Sequence, residues 1–134
     1  MNDEERLERL NEALEELEEL AKDHVILLEG RKDLRAIRRL GIGGDTIAVQ
    51  AAGGPVKAAE SVAAMRGKAV ILTDWDDRGR RLADQLADQL SALCLEYDST
   101  IRSKLEFLCR KDVKDVEGIP SLHRRLVEAC ECER

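Results

Sequence analysis

The sequence is organised around Ala69-Val-Ile-Leu-Thr-Asp-Trp-Asp-Asp-Arg-Gly79, in which an apolar run is followed at once by three aspartates. Residues 68–74 are predicted to form a buried strand, because the run is apolar without alternation, as in parallel sheets. Carboxylates gathered at the end of such a strand repel one another, which costs free energy. A bound cation would offset that repulsion, so the stretch indicates a cation site.

A second apolar run, Val25-Ile-Leu-Leu28, ends in the same way in Glu29-Gly30 and then Asp33. Predicted strands at 24–29, 46–50, 68–74 and 92–97 alternate with predicted helices at 33–40, 55–65 and 78–90. This alternation predicts an α/β, Rossmann-like layer fold with a four-stranded parallel sheet flanked by helices. Ligands of such sheets bind beyond the carboxyl ends of the strands. Both acidic clusters lie at those ends, so we expect the two strand ends to meet.

Helical segments precede and follow this region. Residues 1–22 are acidic and carry one apolar stripe, which lies either on the domain's own core or in a homodimer contact. Residues 23–98 form the predicted core. Residues 99–134 form a helical extension with a helix at 99–110 and a last helix for which Ser121 is the predicted N-cap. The sequence assigns this extension no role.

Composition limits the class of partner. The chain has 134 residues, the usual size of one domain, and a net charge of −6. Residues 1–23 hold 10 acids and 3 bases, or −7, whereas residues 24–134 hold 18 acids and 19 bases, or +1. The acidity therefore belongs to the first helix and does not exclude a polyanionic ligand. The scarcity of aromatic residues disfavours modules that stack single-stranded bases.

The composition also bears on the cellular compartment and on the kind of metal site that is possible. The four cysteines lack the spacing of a zinc site, and there are only two histidines. The acidic N-terminus lacks the apolar core of a signal peptide, and no apolar stretch approaches the roughly 20 residues that span a bilayer. We expect a cytoplasmic protein.

Asp74 and Asp76 are alternate residues, so in an extended chain both carboxylates face one side while Trp75 faces the other. Oxygen ligands of this kind suit Mg²⁺, with Mn²⁺ as a substitute. Asp77 competes for this role but is predicted to cap the helix that begins near Arg78.

Glu29 has three interpretations at the end of its strand: a plain surface acid, a metal ligand, or a general acid/base whose pKa is raised by burial. Gly30 lets the backbone turn tightly. Asp33 either supports the site or caps the helix that follows.

Basic residues and a glycine turn lie near the same strand ends. Arg31, Lys32 and Arg80 are placed to hold phosphate oxygens of a ligand. The turn at Gly53-Gly54-Pro55, with Lys57, precedes a helix N-terminus and is either an anion site or plain loop geometry.

The two strand ends carry two short motifs. Glu29-Gly-Arg-Lys-Asp33 is similar to E-G-x-x-D, and Asp74-Trp-Asp-Asp-Arg-Gly79 is similar to D-x-D-x-x-G. The ordered pair resembles the Toprim domain of topoisomerases, bacterial primases, OLD-type nucleases and small ribosomal-RNA-maturing ribonucleases. Stand-alone, mostly archaeal Toprim proteins match the length best, and the resemblance covers residues 23–98.

The resemblance implies roles by position. It implies a general acid/base at Glu29 and Mg²⁺ ligands at Asp74 and Asp76. It also implies turn glycines at Gly30 and Gly79 and a supporting acid at Asp33, and the Gly53-Gly54 turn resembles the family's small-residue loop after its second strand.

The leading hypothesis is a Mg²⁺-dependent protein that acts on phosphodiester bonds, a small nuclease for structured RNA or DNA. One alternative is a non-catalytic module that uses the same metal and basic residues to bind nucleic acid or a partner. A second is an α/β phosphatase or phosphotransferase, prompted by D-x-D. The D-x-D-x-[TV] pattern of one such class is not matched here, because Asp77-Arg78 follow Asp76.

Overall fold

Apolar runs without alternation form the central strands of a parallel sheet in the computed structural model, which describes residues 1–132. The strands are β1 (Val25–Leu28), β2 (Thr46–Ala48), β3 (Lys68–Ile71) and β4 (Glu96–Asp98). The helices are α1 (Asp3–Leu20), α2 (Arg31–Arg39), α3 (Val49–Ala52), α4 (Pro55–Ala64), α5 (Asp77–Ala92), α6 (Thr100–Cys109) and α7 (Ile119–Cys132).

The order of the sheet is β2-β1-β3-β4, and all three pairings are parallel. The chain therefore leaves β1 to one side to form β2 and crosses to the other side to form β3. Leu27 lies opposite Ile71 in the register of this central pair, so both strands end at the same level. Such a change of direction opens a crevice at the carboxyl edge, where α/β proteins bind ligands. The predicted fold class is confirmed.

Side chains that alternate along the central strands build two separate cores. On one face Ile26, Leu28, Val70 and Leu72 pack with residues of α1, α2, α6 and α7. On the other face the alternate residues of β1 and β3 pack with α3, α4 and α5. The sheet is thus the middle of three layers.

The acidic first helix lies on the domain's own core, the first of its two predicted alternatives. Leu10 and Leu17 of α1 are fully buried in the first core. The extension belongs to the same core, because Leu105 of α6 and Leu122 of α7 are buried there as well. Residues 99–132 are therefore an integral part of the layer that covers this face of the sheet.

Several predicted boundaries shift for identifiable reasons. The fourth strand begins at Glu96 and not at residue 92, because the buried Leu86 and Leu90 carry α5 on to Ala92. The last helix does not begin after Ser121. The Asp115 carboxylate accepts a hydrogen bond from the Gly118 N–H at 3.0 Å, which starts a 3₁₀ turn that runs directly into α7.

Within residues 1–132, no helix has both the length and the apolar character required to cross a membrane.

Candidate functional site

Glu29 and Asp74 meet at the carboxyl ends of β1 and β3, as the sequence predicts. The Asp74 backbone N–H donates to the Glu29 Oε1 at 3.2 Å. This bond continues the ladder between the two strands, since the Leu72 N–H donates to the Leu27 carbonyl two residues earlier. Glu29 is only 8% exposed, so it is a buried carboxyl and not a surface acid. We call Glu29 and Asp74 the acid pair.

Burial, and then the charge of the neighbouring Asp74 carboxylate, raise the pKa of Glu29 to about 7. Burial raises the pKa of Asp74 too, while the Val116 N–H, donating to its Oδ1 at 3.0 Å, acts in the opposite direction. The acid pair therefore holds a proton near neutral pH.

Asp33 is a third buried carboxyl and supports the turn that follows Glu29. Its Oδ2 accepts the Gly30 N–H at 3.2 Å, and it is the third residue of α2, so it does not occupy the N-cap position. Burial, and then the Asp74 charge, raise the pKa of Asp33 to about 6. Gly30 itself is extended, and a Cβ there would lie 3.1 Å from the Gln50 amide oxygen, so the site is tight at this turn.

The predicted cap of α5 is wrong by one residue. Asp76 is the N-cap, because its Oδ1 accepts the Gly79 N–H at 2.7 Å, whereas Asp77 is the first helical residue and is exposed. Gly79 is buried against the turn, and a Cβ there would overlap the Asp74 backbone. Gly79 thus shapes the turn, and its side-chain position is not open to a substrate. Trp75 faces away from Asp76, as predicted, and donates its indole N–H to the Val113 carbonyl at 2.9 Å.

The donor chemistry of the acid pair fits Mg²⁺, although the described residues do not form a three-carboxylate cage. Among residues 1–132, no group of three or more His, Cys, Asp or Glu side chains is arranged to hold a metal ion. Asp76 already uses one oxygen as the cap of α5. Mg²⁺ usually takes one or two carboxylates and fills its remaining positions with water or substrate phosphates. Glu29 and Asp74 satisfy that smaller requirement.

Arg102 of α6 holds the turn that carries Asp74, a role that sequence reasoning missed. It is 8% exposed and donates to the Thr73 carbonyl, the Thr73 hydroxyl and the Asp74 carbonyl at 3.1, 3.0 and 2.6 Å. A signal was available in the helical spacing of Arg102 with Leu105 and Cys109, which places it on the buried face of α6. Arg102, Val113 and Val116 all come from the extension, which therefore helps to build the site.

A cleft of about 260 Å³ opens beside Glu29, between α4 and α5, and includes Gly54. Its basic residues are Arg78 and Arg81, whereas the predicted Arg80 pairs with Glu106 of α6 at 2.9 Å. Helix geometry explains why Arg78 and not Arg80 lines the cleft. Arg78 lies one turn before Leu82 on the side facing the cleft, and Arg80 points away from it. Gln50 and Gln85 line the same cleft.

The remaining predicted residues lie at the starts of α2 and α4. Arg31 and Lys32 are exposed in the first turn of α2. Gly54 has φ +107°, a backbone conformation that favours glycine, and Pro55 is the first residue of α4 as predicted. Lys57 is exposed in the first turn of α4, outside the set of residues that lines the cleft.

Comparison with known proteins places the chain among archaeal relatives. It is 36% identical over 115 residues to a UPF0292 protein of Methanosarcina barkeri, covering 85% of this chain and 80% of that protein. It is 36% identical to the UPF0292 protein of Methanosarcina acetivorans, covering 85% and 79%. The corresponding protein of Thermococcus onnurineus is 29% identical, covering 92% and 90%.

A solved structure of an Aquifex aeolicus protein shares the fold, with a TM-score of 0.69 and 24% identity over 81% of this chain and 95% of that one. No family model matches the sequence. Because the identity to the Methanosarcina proteins extends over most of both chains, the chain belongs to the UPF0292 protein family.

Proposed function

We propose that this chain is a Toprim-type, Mg²⁺-dependent protein that acts on phosphodiester bonds, a small nuclease for structured RNA or DNA. The observation that supports the proposal most directly is the acid pair. Glu29 and Asp74 lie 45 residues apart in sequence, yet the Asp74 backbone N–H donates to the Glu29 carboxylate at the switch point of the sheet. An arginine-lined cleft opens beside them.

Glu29 has the properties of a general acid/base. Its pKa of about 7 lets a carboxyl oxygen both hold and release a proton near neutral pH, which is the condition for efficient proton transfer. Asp74 and Glu29 would hold Mg²⁺, which supplies polarisation of a phosphoryl oxygen when bound. Arg102 fixes the turn that carries Asp74, so the spacing of the two carboxyls depends on α6.

Arg78 and Arg81 are suited to hold the substrate phosphate. Both are exposed in the cleft, and within residues 1–132 neither has a carboxylate partner. Arginine binds phosphate oxygens with charge-assisted, often bidentate hydrogen bonds. The amides of Gln50 and Gln85 add neutral donors and acceptors to the same cleft.

The proposal is tested by metal-dependent cleavage of a panel of structured RNAs and DNAs, including junctions and hairpins. Glu29→Gln and Asp74→Asn remove the acid pair one member at a time, and each is expected to lower the cleavage rate by about 100-fold or more. Glu60→Gln is the matched control, since Glu60 is exposed on α4 and has no polar partner among the described residues. Equal rates for wild type and both site variants would reject the assigned roles.

One observation favours the non-catalytic binding module as a second candidate. Asp74 and Asp76 each have one carboxylate oxygen that accepts a hydrogen bond from a backbone N–H. The described residues therefore offer fewer free carboxylate oxygens to a metal ion than the D-x-D motif suggests. For such a module, the affinity for nucleic acid would rise with Mg²⁺ while the nucleic acid stays intact. Binding and product formation measured in the same samples separate the two candidates.

A further inference from the structure

Helix α2 presents three cations on one exposed face. Lys32, Arg35 and Arg39 follow one another at spacings of three and four, so their side chains share a side of the helix. They line a shallow groove of about 130 Å³ together with Ala36 and Glu117. We call Lys32, Arg35 and Arg39 the α2 basic face.

The charges of the α2 basic face are not neutralised by any residue that the structure describes. Across residues 1–132 these three side chains make no ion pair, although Glu117 lies in the groove and Glu15 and Glu18 lie in the next groove beside Arg39. Other bases of the protein do find partners: Lys104 pairs with Glu16 and Arg66 with Asp45. Three unpaired like charges on one helix face repel one another, and a polyanion would offset that cost.

The position of this face relative to the acid pair indicates the shape of the polyanion. Helix α2 begins two residues after Glu29 and lies on the first-core side of the sheet. Arg78 and Arg81 belong to α5, on the opposite side. The acid pair at the carboxyl edge thus has a helix with unpaired cations on each side of the sheet. Lys32 lies in the first turn of α2 beside that edge, and Arg35 and Arg39 follow it along the helix. A double helix, which carries phosphates along two backbones, can contact both sets at once.

The aromatic residues argue against recognition of unpaired bases. Trp75 is buried in the first core, and the exposed Tyr97 and Phe107 lie on β4 and α6, outside the cleft and the α2 groove. Single-strand binding generally uses aromatic side chains as stacking platforms. Contacts to the phosphate backbone of a duplex need none.

We propose that the α2 basic face binds the phosphate backbone of double-helical nucleic acid and holds the duplex against the acid pair. This inference rests on the proposed function, because it places the duplex that flanks the reacting phosphodiester. The interaction is independent of base sequence, since its contacts are to phosphates.

The test is fluorescence anisotropy with a labelled duplex of about 20 base pairs, as DNA and as RNA, from 50 to 200 mM KCl without Mg²⁺. The variant Lys32→Gln/Arg35→Gln/Arg39→Gln removes three phosphate contacts, so the slope of log K against log salt becomes shallower by about 2.7. Over this fourfold range of salt, wild type then loses about 40-fold more affinity than the variant. The control is Lys22→Gln/Arg66→Gln/Lys68→Gln, which removes the same charge near the amino ends of β1 and β3. Its slope is expected to match wild type.

Three results would overturn the inference. The first is a slope for the α2 variant equal to that of the control. The second is equal affinity of wild type for the duplex and for a single strand of the same length. The third is a difference in molar mass between wild type and the α2 variant, measured by light scattering, with no difference in duplex binding. That result would show that the α2 basic face contacts a second copy of the chain. Cleavage lost in Glu29→Gln but duplex binding unaffected in the α2 variant would leave the proposed function standing and reject this inference alone. Salt-dependent duplex binding through α2 without any cleavage would support this inference and reject the proposed nuclease function.

Discussion

Replacing Glu29 by Gln is expected to stabilise the protein at alkaline pH while it removes the proposed proton donor. The carboxyl has an ordinary pKa of 4.5 and a folded-state pKa of about 7, raised first by burial and then by Asp74. The folded protein therefore binds this proton more tightly than the unfolded chain does. Between pH 4.5 and about 7 the free energy of unfolding falls as pH rises, because folding must then bury a charge beside another charge.

The size of this change in the free energy of unfolding follows from the ordinary and the folded-state pKa of Glu29. At 1.36 kcal/mol per pKa unit, the difference between these two pKa values corresponds to about 3 kcal/mol of stability. Wild type has this stability below pH 4.5 and has lost it above pH 7. Gln keeps an amide oxygen that can accept the Asp74 N–H and carries no charge. Glu29→Gln is thus expected to exceed wild type by about 3 kcal/mol at pH 8 and to match it near pH 4.5, where Glu29 is protonated.

Urea denaturation at several pH values between 4.5 and 8 measures this difference directly. Thermal melts at pH 8 would show a rise in Tm on the order of 10 °C. Glu60→Gln serves as the control and should follow wild type at every pH. A Glu29→Gln protein that is no more stable than wild type at pH 8, or whose advantage is the same at all pH values, would refute the argument from burial.

Four further outcomes are expected. Millimolar Mg²⁺ raises the Tm of wild type at pH 8, and Asp74→Asn abolishes that rise in the same melt, since a ligand that binds only the folded state stabilises it. Arg102→Met lowers the free energy of unfolding by about 3 kcal/mol in urea, because the Thr73 and Asp74 carbonyls lose a buried charged donor. Gly79→Ala lowers it by about 2 kcal/mol through the overlap with the Asp74 backbone, whereas an equal stability would show that the turn relaxes freely. Arg78→Ala/Arg81→Ala raises KM for cleavage at least tenfold more than Arg80→Ala does, and equal effects would contradict the placement of the cleft.

Sequence reasoning located the acid pair because the governing signals are local and strong. Two unbroken apolar runs that end in acids specify buried parallel strands, and the carboxyl ends of such strands share an edge. The same logic placed Pro55 at the start of α4 and Gly41, which has φ +83°, just beyond α2. Each of these features depends on residues within a few positions of one another.

The features of the site that the sequence did not predict depend on contacts between distant segments, or on a choice between two adjacent residues that are equally suited to a role. Asp76 and Asp77 are both good N-caps, and only the packing of Gly79 under Asp74 decides between them. Arg102 reaches a turn 28 residues earlier, a pairing that no spacing rule specifies. The stripe of Leu82, Leu86 and Leu90 indicates which side of α5 faces the cleft, and Arg78 and Arg81 lie near that side. Proximity to the strand end along the chain favoured Arg80 instead.

The contacts of the extension explain how such a costly site persists. Burial raises the pKa of Glu29, Asp33 and Asp74 together, because water is excluded from three neighbouring carboxyls and the charged form of each is disfavoured. The extension compensates with an N–H to Asp74 from Val116 and a guanidinium on its carbonyl from Arg102. These contacts fix the position of Asp74 without neutralising its carboxylate. Hydrogen bonds that hold the two acids together without placing a cation against either carboxylate leave room for the Mg²⁺ ion and the proton that the proposed function requires.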